Sequence, residues 1–148
     1  MIWTPHVTVA AVVEQAGRFL LVEEEAEGAR VFNQPAGHWE AGESLIDAAI
    51  RETREETGYP FTPEAVLGVY HWRHPRKDVT YLRVAFTGRV GERDENLPLD
   101  TGIIAPHWLS RAEMLARADA LRSPQVLRCV DDYLAGRRYP LELLVNVS

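Results

Sequence analysis

Apolar and β-branched residues run almost unbroken through "HVTVAAVV" at residues 6–13. The absence of alternation predicts a central strand covered on both faces rather than a half-solvated one. Gly17 marks a turn, and "RFLLVEE" (18–24) reads as the returning strand of a hairpin. "EAEGARVFNQPAGHWEAGE" (25–43) reads as a long connection punctuated by Gly28, Pro35, Gly37 and Gly42. From Ser44 the period changes: Leu45, Ala48, Ala49 and Thr53 fall at helical spacing. Ser44 can cap that helix, and Asp47 stands where the acidic partner of a capping box belongs. Gly58 suits the position just past the last turn, and Pro60 bars continuation.

Further on, "AVLGVYHWR" (65–73) and "TYLRVAFTGRV" (80–90) read as strands joined by the basic turn "HPRKD". "RDENLPLDTG" (93–102) is a polar loop, and "APHWLS" (105–110) a short last strand. "SRAEMLARADAL" (110–121) and "PQVLRCVDDYLAG" (124–136) read as helices, with Ser110 and Ser123 as caps. Strands precede, interleave with and follow the helices, which predicts an α/β fold with a mixed sheet between helical layers. No repeat or linker divides the chain, so residues 1–148 read as a single domain.

Composition narrows the class. Apolar residues make up 46% and charged residues 26% of the 148, which is globular rather than disordered composition. A net charge of −6 argues against binding a nucleic-acid polymer, and an anionic substrate would then need a local cation. Cys129 is the only cysteine, so neither an internal disulfide nor a Cys-based zinc site is available. The first residues lack a basic n-region, and no apolar run reaches the roughly 20 residues of a membrane span. A cytoplasmic protein without membrane attachment is expected.

One stretch of the helix conflicts with its own electrostatics. Glu52, Glu55 and Glu56 crowd one side of its last turns. Like charges at those spacings repel, and the helix dipole disfavours anions at that end. Two readings resolve the conflict. The side is a solvated face on which Arg51 and Arg54 pair with the glutamates, or the carboxylates hold a hard divalent cation such as Mg²⁺, with waters and substrate phosphates completing its shell.

The surroundings favour the second reading. Gly37, Glu43, Arg51, Glu52, Glu55, Glu56 and Gly58 stand at fixed spacings: five residues, seven, none, two, none and one. At about 7% for each residue type, chance agreement is on the order of one in a million. The pattern at 37–59 resembles the signature of the Nudix hydrolases, which cleave diphosphate linkages with Mg²⁺ or Mn²⁺. Thr53 and Tyr59 depart from it, at positions where that family prefers aliphatic residues.

The resemblance implies a Nudix α/β/α sandwich, a mixed β-sheet flanked by helices, with a loop-helix-loop catalytic motif. It further implies that Glu52, Glu55 and Glu56 bind metal, that Gly37 lends its backbone carbonyl, and that Glu43 and Arg51 form an orienting pair. A glycine at 37 lets the backbone approach the ion without a Cβ in the way. "PHVTVA", "NQPAGHWEAGE", "LRSPQV" and "RRYPLELL" extend the resemblance to the NudJ-type phosphatases of bacteria over nearly the whole chain. Those enzymes hydrolyse nucleoside tri- and diphosphates, hydroxymethylpyrimidine pyrophosphate and thiamine pyrophosphate, releasing orthophosphate. The implied partner is a small phosphorylated substrate, with the protein a monomer or homodimer. Two alternatives stay open: hydrolysis of another nucleoside-diphosphate-X that releases pyrophosphate or splits a nucleotide sugar, and a non-catalytic nucleotide-sensing module.

Many Nudix proteins carry a further acid six positions before a Trp on a late strand. Here Trp108 has Gly102 at that distance, which leaves Asp100 as the nearest acid, with Glu92, Asp94 and Glu95 as alternatives. The general base is therefore Glu55 or Asp100. Candidate substrate contacts are Gln34, Arg73 and Lys77 in turns, and Arg83, which needs an anionic partner if its apolar strand is buried. Trp39, Trp72 and Tyr139 could stack on a heterocycle or simply pack. His38 reads as loop packing, and Cys129 as a small core residue.

Overall fold

The computed structural model describes residues 1–147. Its strands are β1 (His6–Val12), β2 (Glu14–Gln15), β3 (Arg18–Ala26), β4 (Ala29–Asn33), β5 (Ala36–His38), β6 (Phe61–Arg73), β7 (Thr80–Val90) and β8 (Ile103–Leu109). Its α-helices are α1 (Leu45–Thr57), α2 (Arg111–Ala116) and α3 (Pro124–Leu134). One four-stranded mixed sheet has the order β5-β1-β7-β6, with β1 parallel to β7 and the other pairings antiparallel. In a second sheet β3 pairs with β8 along one edge and with β2 and β4 along the other.

The unbroken apolar run of β1 has the expected consequence. Val9, Ala11 and Val13 point to one side and pack with Ala48 and Ala49 of α1. Ala10 and Val12 point to the other and pack with Val126, Cys129 and Val130 of α3. The mixed sheet is thus flanked by a helix on each face. At about 25 cal/mol per Å² of apolar surface, these two half-cores are what hold α1 and α3 in place.

α1 is bounded as its sequence predicts. Ser44 Oγ accepts the Asp47 N–H (3.0 Å), and the Gly58 N–H closes the last turn on Arg54 O (2.8 Å). The reciprocal capping-box bond is found instead at α2, where Ser110 and Glu113 satisfy each other's backbone.

Two expectations need correcting. The connection over 25–43 contains two strands, β4 and β5. Glu27 (φ 54°) and Gly28 (φ 80°) form a two-residue turn with both central residues at positive φ, the twist that returns β3 into β4. The segment 110–121 is not one helix: α2 ends at Ala116, and a 3₁₀ turn follows at Ala118–Ala120. Leu121 then bridges to Phe32 of β4, a tertiary contact that the helical pattern does not encode. No helix among the described residues is long and apolar enough to cross a membrane.

Candidate active site

Three consecutive residues of β5 each engage α1. The Ala36 N–H donates to Glu56 Oε1 (2.9 Å), and His38 O accepts from Arg51 Nη2 (3.2 Å). Between them, a Cβ built on Gly37 would fall inside the Glu52 carboxylate. A side chain at 37 would therefore displace the Glu52 carboxylate of α1. The strand places Gly37 opposite Val9, two residues from the Ala11 N–H to Pro35 O bond and from the Trp39 N–H to Val7 O bond. That alternation makes Gly37–Val9 a hydrogen-bonded pair, so the Gly37 carbonyl keeps one lone pair for a further partner.

Arg51 is the hub of the acidic cluster. Nε and Nη2 fork onto both oxygens of Glu43 (2.9 and 2.7 Å), while Nη1 reaches Glu52 Oε1 (2.8 Å) and Glu55 Oε1 (3.0 Å). These bonds hold the Glu43 carboxyl below its usual range and raise Arg51 further. The orienting pair from the sequence is therefore present, but Arg51 also screens two of the three box carboxylates. Arg54 is exposed.

Glu56 is the carboxylate that no cation screens. It is 8% exposed, and the Ala36 N–H is its hydrogen-bond donor. Burial pushes its pKa up to about 9, and the charges of Glu52, Glu24 and Asp100 add to the rise. Burial also raises Glu52 against the pull of Arg51, and raises Asp100, with the Glu55 charge adding. Asp100 thus lies within electrostatic reach of the box, and its N–H donates to Glu55 O (3.0 Å).

Glu52, Glu56 and Gly37 open onto a cleft of about 750 Å³, on which Lys77, Arg83 and Arg122 also lie. Arg83 is 4% exposed and projects toward α3, where Nη1 contacts Cys129 Sγ (3.8 Å). Its other partners are neutral amides: Nη1 donates to Gln34 Oε1 (2.8 Å) and Nη2 to Asn33 Oδ1 (3.0 Å). Its Nε has no partner.

Gln34 is 1% exposed, and its Nε2 donates to Val126 O (2.8 Å). It stands behind Arg83 and positions it, rather than facing the cleft as the sequence suggested. Lys77 reaches the cleft already paired with Glu27. Arg73 is not brought to the cleft: it is exposed on the 73–78 hairpin tip, 3.6 Å from Asp78.

The cleft also takes residues that sequence reasoning passed over as sites. Glu24 on β3 is buried and ion-paired with Arg122. Ser123 and Gln125 open onto it from the start of α3. An acidic residue closing a strand was the one local sign of Glu24. The "LRSPQV" stretch contains the other three.

A match to the NUDIX domain family spans residues 4–129. The chain belongs to the Nudix family. Phosphatase NudJ of Escherichia coli (strain K12) is 43% identical over 140 residues, which cover 95% of this chain and 90% of that protein. Phosphatase NudJ of Shigella boydii serotype 4 (strain Sb227) matches to the same extent. A solved Nudix hydrolase from Nitrosomonas europaea superposes with a TM-score of 0.96 at 49% identity, covering 97% of this chain and 98% of that one. The fold also recurs, at 21% identity and a TM-score of 0.70, in a bifunctional NMN adenylyltransferase/ADP ribose pyrophosphatase from Francisella tularensis. That structure is complexed with AMP and a Mn ion, and the match covers 90% of this chain and 42% of that one. This chain is therefore a Nudix hydrolase related to the NudJ phosphatases.

Nudix hydrolases use divalent metal, and the residues present fit one. The donors are all oxygen: the Glu52 and Glu56 carboxylates and the free lone pair of Gly37, drawn together where a Cβ would block them. Among the described residues no three acidic or histidine side chains are already gathered to hold an ion. Arg51 occupies Glu52 and Glu55 instead. Gly37→Ala is expected to lower kcat/KM by about 100-fold, the usual cost of misplacing a reacting group by about 1 Å. The collision falls on the mobile end of a side chain. The melting temperature should therefore stay near that of the parent, and a large drop in melting would show that Gly37 serves the fold instead.

Proposed function

We propose that this Nudix hydrolase cleaves the phosphoanhydride bonds of nucleoside tri- and diphosphates and of thiamine-pathway pyrophosphates such as hydroxymethylpyrimidine pyrophosphate and thiamine pyrophosphate. The cofactor is Mg²⁺, or Mn²⁺, and the product is orthophosphate. The observation that carries this reading is the pairing of opposites in one cleft. Glu56 is an unscreened buried carboxylate, and Arg83 a buried guanidinium with only neutral partners. A phosphate chain accompanied by a cation satisfies both: phosphate pairs with the Arg83 charge, and the cation displaces the Glu56 proton and pairs with the carboxylate. The 43% identity to NudJ phosphatases and the Mn ion in the Francisella structure support the same assignment.

Each side chain then has a task. Glu52 and Glu56, with the Gly37 carbonyl, hold the cation. When bound, the cation polarises the scissile phosphoryl group and neutralises charge that develops on it. Arg51 holds Glu43, Glu52 and Glu55 in register, so their geometry is fixed before substrate arrives. Glu55 is half-exposed and takes the proton of the attacking water, with Asp100 as the second candidate base. Arg83 and Lys77 grip the non-reacting phosphates, and catalysis rests on positioning and charge neutralisation.

The test is a substrate panel with Mg²⁺ in which phosphate and pyrophosphate are both measured. The panel spans nucleoside tri- and diphosphates, nucleotide sugars, dinucleoside polyphosphates and the two thiamine-pathway pyrophosphates. A nucleoside triphosphate should release orthophosphate in successive steps. Pyrophosphate and monophosphate as sole products would reject the orthophosphate assignment, and no turnover of any member would reject the substrate class.

A further inference from the structure

Arg83 is buried, yet the partners that hold it are neutral: Gln34, Asn33 and the Cys129 thiol. A buried guanidinium ordinarily takes a carboxylate, because an uncompensated buried charge is costly. Acids are not far away. Among the described residues, the buried acids outside α1 are Glu24 and Asp132, and each comes within one side chain of Arg83.

Glu24 approaches from β3. Its cross-strand partner on β4 is Val31, and Asn33 lies two residues further along the same face. Diagonal neighbours of that kind stand about 7–8 Å apart, within reach of a long side chain. Asn33 itself holds Arg83 Nη2. The Arg83 charge is felt at Glu24, where it opposes the rise in pKa that burial causes. Asp132 approaches from α3. It accepts the Tyr70 hydroxyl (2.7 Å), and Tyr70 is the β6 residue in register with Arg83.

Each acid is occupied by other arginines. Asp132 is held by Arg128 Nε (3.2 Å) on its own helix and by Arg137 Nε (3.6 Å) just beyond it. Glu24 is held by Arg122. The backbone delivers Arg122 to that place: its N–H donates to Phe32 O (2.8 Å), and Leu121 before it bridges to Phe32 on β4. Arg122 is 42% exposed, so its own charge is solvated and needs no partner in the fold. The effect of the pair therefore falls on Glu24.

We propose that Arg122 is a positioning residue for phosphate binding: by holding Glu24, it keeps that carboxylate off Arg83 and leaves the Arg83 charge to the substrate. Without Arg122, Glu24 turns to Arg83, whose Nε has no partner in the fold. Carboxylate and phosphate then compete for one guanidinium. This deepens the phosphoanhydride reading and rests on its assignment of Arg83 to phosphate.

The probe is imidodiphosphate, a diphosphate that resists hydrolysis, titrated calorimetrically at saturating Mg²⁺. Arg122→Gln should weaken it about tenfold, the lower end of what a charge-assisted hydrogen bond contributes. Adding Glu24→Gln to that variant should recover most of the loss. In turnover, Arg122→Gln should raise KM by a similar factor with kcat little changed, as loss of uniform binding does. In spectra of nitrogen-labelled arginine, the Arg83 Nε–H resonance should shift in Arg122→Gln and return in the double variant. Asn33→Asp sets a carboxylate on Arg83 without touching Arg122. It should weaken the probe to the same degree, and it carries the test if Arg122→Gln does not fold. Unchanged affinity in Arg122→Gln or in Asn33→Asp overturns the proposal. So does a weakening that persists in the double variant, because Arg122 would then touch phosphate itself. Arg83→Gln separates the two levels. If it binds the probe as the parent does, the phosphate reading of Arg83 fails; if it binds weakly while Arg122→Gln binds normally, only the role of Arg122 fails.

Discussion

Glu56→Gln is expected to remove divalent-dependent turnover by about 10³-fold or more while leaving the protein folded. The loss follows from taking one carboxylate from a cation that contributes several kcal/mol to the transition state, each 1.36 kcal/mol being tenfold. The tolerance follows from burial. Glu56 keeps its proton to about pH 9, so a neutral amide of the same shape resembles the form already present at pH 7. The amide oxygen can still accept the Ala36 N–H. Steady-state turnover with Mg²⁺ and thermal melting, run in parallel, check the two halves. Full activity in this variant would remove Glu56 from the metal site.

The same group sets a pH dependence whose sign is definite. Without divalent cation, folded Glu56 holds its proton up to about 9 and unfolded Glu56 releases it near 4.5. Between those values the folded state binds more protons, so stability is full below about 4.5 and declines as pH rises toward 9. Glu52 on its own helix, Glu24 on β3 and Asp100 face it with the same sign and steepen the decline. Denaturation in EDTA from pH 5 to 9 should show that slope in the parent and a flatter one in Glu56→Gln. A divalent cation should reverse it, because binding displaces the proton. A parent that is equally stable across the range would contradict it.

Arg51→Ala is expected to give the largest loss of stability in the site, about 2–3 kcal/mol. Deleting one member of a buried ion pair costs roughly 3–5 kcal/mol, and Arg51 is discounted because a quarter of it is exposed. In a domain of this size that is a fall in melting temperature of about 4–12 °C. Three carboxylates lose their common partner, and β5 loses its bond from His38 O. Saturating Mg²⁺ should recover part of the fall, since the cation replaces part of the lost positive charge. Arg51→Lys should recover less than half, because a single ammonium cannot reproduce the fork onto both oxygens of Glu43. A melting temperature unchanged in Arg51→Ala would show the network to be surface decoration.

Much of this architecture was legible in the sequence because it rests on local rules. The β1 run, the Ser44-to-Gly58 bounds of α1 and the Ser110 and Ser123 caps are short-range patterns, and each has its expected place. β4 and β5 were not legible. Each is short and lies among turn residues: β4 becomes a strand by folding back on β3 across the Glu27–Gly28 turn, and β5 by pairing with β1, well upstream in the chain. Arg117 to Leu121 was misread for the same reason: its helical spacing gives way to a bridge with Phe32.

The site divides along the same line. The spacing of Gly37, Glu43, Arg51, Glu52, Glu55 and Glu56 singled these residues out through its resemblance to the Nudix signature, and the fold brings them together on β5, the connecting loop and α1. Spacing could not say that Arg51 would screen Glu52 and Glu55 and leave Glu56 bare, since that depends on which carboxylate the sheet buries. Nor could it place Gln34 behind Arg83, move Arg73 out of the cleft, or bring Glu24, Arg122 and Gln125 into it. What the sequence determined by itself is a helix with its carboxylates gathered on one side, because helical periodicity fixes which residues share a face, together with a signature that resembles the Nudix family's. Which charges stay unpaired, and what lies opposite them, was decided only by tertiary structure, because desolvation depends on neighbours far away along the chain.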